Sequence, residues 1–128
     1  MILFLTGSPT RYGQDRFTAD NGFLARVREA LGEACARRGA GVMPRVLLVS
    51  AAPDDAAFTQ SVLEGMSECI HRSGIETEEI VMLDRHNASL VRDLVGWADW
   101  VILCGGHVPT QNKFIHEIIF TKYSLNIK

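Results

Sequence analysis

Short continuous apolar runs alternate along this chain with longer stretches in which apolar residues recur every three or four positions. The runs Ile2–Leu5, Val46–Val49, Ile80–Leu83 and Trp100–Cys104 have the length and continuity of buried strands. Between them, Phe23, Leu24, Val27, Leu31, Ala34 and Cys35 fall on one face of a helix, with Arg26, Glu29, Glu33 and Arg37 on the other. Gly39 and Gly41 end that helix. Phe58, Val62, Met66, Cys69 and Ile70 mark a second helix closed by Gly74. Leu90, Val91, Leu94 and Trp97 mark a third, and Phe114, Ile115, Ile118 and Ile119 a fourth. Asp54 is placed to cap the second helix and Asn87 the third. The polar segment from Thr6 to about Gly22 is long for a structureless connection, a length that often carries function.

This alternation predicts an α/β fold: a three-layer sandwich whose mostly parallel sheet is covered on both faces, joined by right-handed crossovers. In such a sheet the loops at the C-terminal strand ends share one rim. Here they are Gly7-Ser8, Ser50-Ala51, Asp84-Arg85-His86-Asn87 and Gly105-Gly106-His107.

Composition narrows the classes without choosing among them. The 128 residues fit a single domain, 1–128. A hydrophobic content of 47%, a charged content of 22% and a net charge of −2 argue against disorder and against a nucleic-acid partner. No apolar run approaches the ~20 residues that span a membrane, and the first residues lack the basic flank of a signal peptide, so a cytoplasmic location is expected. Cys35, Cys69 and Cys104 form no zinc-spaced set, and His71, His86, His107 and His116 show no HxxxH or HExxH spacing, so neither metal nor cofactor is expected.

Candidate chemistry concentrates after the fourth apolar run, in Cys104-Gly105-Gly106-His107-Val108-Pro109-Thr110-Gln111-Asn112. A strand that ends in Gly-Gly and leads toward a helix presents backbone amides to a ligand, and a developing oxyanion needs such preorganised donors. A plain tight turn is the competing reading of the same two glycines. Cys104 with His107 or His116 is a conceivable nucleophile pair, against the reading of a buried strand end. His71 reads as solvent-side, His86 as an exposed loop residue within reach of a rim ligand, and Arg37-Arg38 as a solvated helix end.

The string Ile102–Asn112, with Leu5-Thr6-Gly7-Ser8-Pro9, Asn21-Gly22-Phe23-Leu24 and Trp97-Ala98-Asp99 in register before it, resembles the peptidase E family of serine peptidases. The resemblance runs from Met1 to Ile118 and implies a flavodoxin/class I glutamine-amidotransferase-like fold. It also implies serine-type hydrolysis of a small peptide or amide substrate. On it, Gly105, Gly106 and His107 are oxyanion-side amide donors, and Thr110 and Gln111 belong to the substrate-side loop.

The family's serine stands on a strand-to-helix elbow one strand later, followed by a histidine and an acid. A βαβ step needs about 30 residues, so that elbow would fall at or past Lys128. No Gly-x-Ser-x-Gly occurs; Ser124 is flanked by Tyr123 and Leu125, and Ser8 has no base beside it. The expectation is an N-terminal portion of such a hydrolase, truncated, without its triad and inactive alone. Residues 119–128 support a break: all three lysines are Lys113, Lys122 and Lys128, and neither Ala nor Gly occurs after Gly106. An ordinary solvated helix end is the alternative for that tail. Two other functions stay open: a non-catalytic ligand-binding module of flavodoxin type, and an interaction module whose uncovered sheet edge drives a homodimer.

Overall fold

The structure, a computed structural model, describes residues 16–17 and 22–118. The expected strand Ile2–Leu5, most of the loop before Gly22, and the tail from Ile119 lie outside the described residues. Helix α1 (Phe23–Arg38) is followed by β1 (Arg45–Val49), α2 (Ala56–Arg72) and β2 (Glu79–Leu83). A 3-10 turn (Ala88–Leu90) then leads into α3 (Val91–Trp97), β3 (Trp100–Leu103) and α4 (Val108–His116). The three strands are all parallel, in the order β2-β1-β3.

Burial explains the order. Val46, Leu47 and Leu48 of β1 have no exposed surface, as expected of a central strand with helices on both faces. Val46, Leu48 and Met82 face a cluster with Val27 and Leu31 of α1 and Cys69 and Ile70 of α2. Leu47, Val49 and Leu83 face the other way, onto Val91 of α3 and Phe114 of α4, with Ile118 just beyond α4. The chain is thus α/β, with a parallel sheet between two helical layers. Among the described residues coverage is incomplete at β3, against expectation: Val101 and Leu103 remain 43% and 59% exposed.

Two anchors hold the lower part of the sandwich. Asp99, directly before β3, accepts from Arg38 Nε at 3.0 Å, Arg38 Nη2 at 2.7 Å and the Arg45 amide at 2.9 Å. Its own amide donates to the Arg45 carbonyl at 2.8 Å. The end of α1 is thereby fixed to the entry of β1 and β3. Arg38 holds the Asp99 carboxyl below the ordinary carboxylate range against the opposing effect of burial. At the end of α2, Ser73 Oγ accepts from the Phe17 amide at 2.8 Å while donating to the Cys69 carbonyl, and Arg28 donates to the Ser73 carbonyl. Phe17 in turn packs on Trp100 of β3, ring centroids 5.8 Å apart. Gly74 follows with φ +80°, the left-handed conformation that stops a helix and favours glycine.

Candidate functional site: the rim at the C-terminal strand ends

From β1 the chain passes into α2 on one face of the sheet, and from β3 into α4 on the other, the face that α3 also covers. The chain therefore leaves β1 and β3 toward opposite sides. That topological switch point is where open α/β sheets take ligands, and the Gly-Gly turn lies there.

After β3 the Cys104 amide donates to the Val49 carbonyl at 3.0 Å, and Gly105, Gly106 and His107 follow as an exposed turn. Helix α4 begins at Val108, earlier than the apolar pattern alone marks, with Pro109 in its first turn, where a missing N–H costs nothing. His107 is the N-cap. Its Nδ1 accepts from the Thr110 amide at 3.3 Å and lies 2.7 Å from the Thr110 hydroxyl, which donates to it. In the neutral ring the proton therefore sits on Nε2. The amides of Gly105, Gly106 and His107 have no hydrogen-bond partner among the described residues.

Gly106 is required sterically. Its φ is +152°, and a Cβ at this position would lie 2.7 Å from the Ala51 Cβ. The missing side chain lets the turn after β3 lie directly on the loop after β1. A Cβ on Gly105 would meet nothing within 4 Å.

Gln111 and Thr110, expected on the substrate side of a loop, both belong to the first turns of α4. Gln111 is buried and points inward. Its Nε2 donates to the Val49 carbonyl at 3.2 Å and the Cys104 carbonyl at 2.8 Å, joining the ends of β1 and β3.

The loop after β1 is braced from within. Ser50 is buried; its Oγ accepts from the Ala52 amide and bonds Thr59 Oγ1, both at 3.0 Å. Thr59 donates to the Ala52 carbonyl at 2.8 Å. The cap of α2 is Asp55, not Asp54: Asp55 Oδ1 accepts from the Phe58 amide at 3.0 Å. Asp54 instead accepts from Arg85 Nε at 3.0 Å, while Arg85 Nη1 reaches Glu117 at 2.8 Å. The guanidinium also lies 5.0 Å from the Phe114 ring centroid. Its two carboxylates hold Arg85 firmly charged, and Arg85 lowers the Asp54 carboxyl. One arginine thus ties the loops after β1 and β2 to the end of α4.

Asn87 does not cap the third helix. Its side chain turns back onto β2, accepting from the Asp84 amide at 2.9 Å and donating to the Met82 carbonyl at 2.9 Å. His86 is exposed beside Asp84. The roles of Arg85, Glu117 and Thr59 carried no spacing signal in the sequence, because each depends on contacts across loops.

Cys104 does not serve as a thiolate. It is 5% exposed, and burial pushes its thiol up to about 11. Native alkylation by iodoacetamide near pH 8 should be about a hundredfold slower than that of an ordinary thiol, and unfolding should restore the rate. The raised value also fixes a sign. The stability from burying the neutral thiol is intact below the unfolded value near 9 and is lost as pH rises toward 11. Mass-resolved labelling against pH checks both. Among the described residues no group of three or more His, Cys, Asp or Glu is arranged to hold a metal, and no helix is long and apolar enough to cross a membrane. Comparison of the chain with protein-family models, with curated proteins and with solved structures gives no match.

Proposed function

We propose that this chain supplies the oxyanion-donor side of a peptidase E-like amide-hydrolysis site, on a scaffold of flavodoxin/class I glutamine-amidotransferase-like type, and that it does not turn over substrate by itself. One observation carries the reading: three consecutive amides, Gly105 to His107, without a partner among the described residues at the switch-point end of β3. Free, fixed N–H donors at a water-accessible rim suit a carbonyl oxygen that gains charge during acyl transfer.

The second half of the proposal rests on the hydroxyls and thiol around the turn. Ser50 is buried and bonded to Thr59 and Ala52. Cys104 is protonated. Thr110 does donate to an imidazole, but the same nitrogen caps the Thr110 amide, and His107 Nε2 meets no acceptor among the described residues. A working nucleophile–base pair needs a third group to orient the base. The substrate class implied is a small peptide or amide.

Two measurements test this. Asp-X dipeptides and a chromogenic amide should show no turnover above buffer, and a fluorophosphonate probe should leave the chain unlabelled. Turnover abolished by that probe, or by Thr110→Ala, overturns the inactive half. In amide-resolved NMR, a non-hydrolysable peptidyl phosphonate should shift the Gly105, Gly106 and His107 resonances selectively. Shifts elsewhere, or none at saturating concentration, overturn the donor half.

A further inference from the structure

The sheet has a second feature, on the edge opposite the Gly-Gly turn. In a parallel ladder the backbone groups of successive residues point alternately to the two neighbours. The Leu83 carbonyl accepts from the Ser50 amide, so Leu83 and Val81 face β1. Ile80 and Met82 therefore turn their amides and carbonyls outward. The Met82 carbonyl confirms the direction, because it is taken by Asn87 Nδ2 from outside the sheet. The Ile80 amide and carbonyl and the Met82 amide have no partner among the described residues.

These groups open into a groove of about 430 Å3 between β2 and α2. Leu63 and Ile80 supply apolar wall, and Thr59 and Gln60 supply polar wall from α2. Asp84 closes the end of the groove at the C-terminus of β2. Its carboxylate, 23% exposed, accepts from the His86 amide at 2.8 Å, and the exposed His86 ring nitrogen stands 3.8 Å away, an ion-pair partner only when that ring is protonated. The neighbouring guanidinium of Arg85 is turned away to Asp54 and Glu117. No lysine or arginine reaches Asp84 among the described residues.

We infer that this groove binds the free N-terminus of an extended peptide, added antiparallel to β2 with its α-ammonium on Asp84. Charge decides the occupant and its direction. The carboxylate at the C-terminal end of β2 calls for a cation there, and an incoming strand places its amine at that end only when it runs antiparallel. Asn87 makes the site terminal, because the Met82 carbonyl it occupies is the next ladder group a longer strand would need. Ile80 then exchanges both of its backbone hydrogen bonds with one peptide residue, as strand addition at a sheet edge does. The site lies two strands from Gly105 and goes beyond the hydrolytic reading; either holds without the other.

The probe is the tripeptide amide Val-Thr-Val-NH2, titrated into the full chain and followed by amide-resolved NMR, with its N-acetylated form as the ligand-side control. The free amine form should bind at least tenfold more tightly and shift Ile80 and Met82. Asp84→Asn should remove that difference, leaving the acetylated peptide unaffected. Ile80→Pro, tolerated on an edge strand, should abolish binding while far-UV circular dichroism keeps the sheet. Equal binding of the two peptides, or no binding at millimolar concentration, overturns the inference. It is equally overturned if the Ile80 and Met82 amides of the peptide-free chain are already protected from hydrogen exchange. Protection lost on dilution would assign the edge to a second copy, and protection independent of concentration to a segment of the chain itself.

Discussion

Replacing Asp99 by alanine should cost about 3 kcal/mol, a large part of the about 5–15 kcal/mol that holds a domain together. The carboxylate is 6% exposed and satisfies both faces of its surroundings: the Arg38 guanidinium on one side and the Arg45 amide on the other. Its removal leaves the Arg45 amide unpaired and the half-buried Arg38 cation with only the Met43 carbonyl, 2.7 Å from its Nη2. The lower end of the range for a broken buried pair applies because Arg38 keeps 23% of its side chain in water. Asp99→Asn should cost less, since its amide oxygen still accepts from the Arg45 amide. The acid limb distinguishes charge from shape. Arg38 lowers the Asp99 carboxyl, so its stabilisation is present above the unfolded value near pH 4 and is lost as pH falls through the lower folded value. Wild type should therefore lose stability over that window more steeply than Asp99→Asn. Parallel urea curves with identical acid dependence would contradict this account.

Gly106→Ala is the second large effect, expected at about 2–3 kcal/mol, or a fall in melting midpoint on the order of 10 °C. A methyl group at 2.7 Å from the Ala51 Cβ forces either loop to move, and φ +152° strains any side chain. Gly105→Ala, one residue earlier, meets open space and should change stability by less than about 0.5 kcal/mol. Ala51→Gly in the Gly106→Ala background should recover about 1 kcal/mol, a coupling that only direct contact produces. Equal costs at Gly105 and Gly106 would show that the pair is simply a turn signal.

The three described strands and the longer helices were legible because burial on both faces leaves an uninterrupted apolar run, as in Val46–Val49, and burial on one face leaves the spacing of Val27, Leu31 and Cys35. Adjacent residues of one type were not separable. Asp54 and Asp55 carry the same capping chemistry, and only the partner Arg85, 31 residues away, divides their roles. Asn87 misled for a related reason: a short polar amide bonds equally well to a helix start or to the strand behind it, and here Met82 won. Gln111, which the resemblance assigned to a substrate-side loop, is instead drawn inside by two strand-end carbonyls. The glycine pair was legible as a turn, but the particular need for Gly106 came only from Ala51 across the rim.

Putting the most apolar strand in the middle has a cost in time. β1 leaves the ribosome about fifty residues ahead of β3, and its other neighbour is also unmade at that point. At the pace of synthesis, about 5–20 residues per second, Arg-Val-Leu-Leu-Val spends several seconds with both edges bare. The nascent chain, more than the finished one, therefore exposes an apolar strand with unpaired edges.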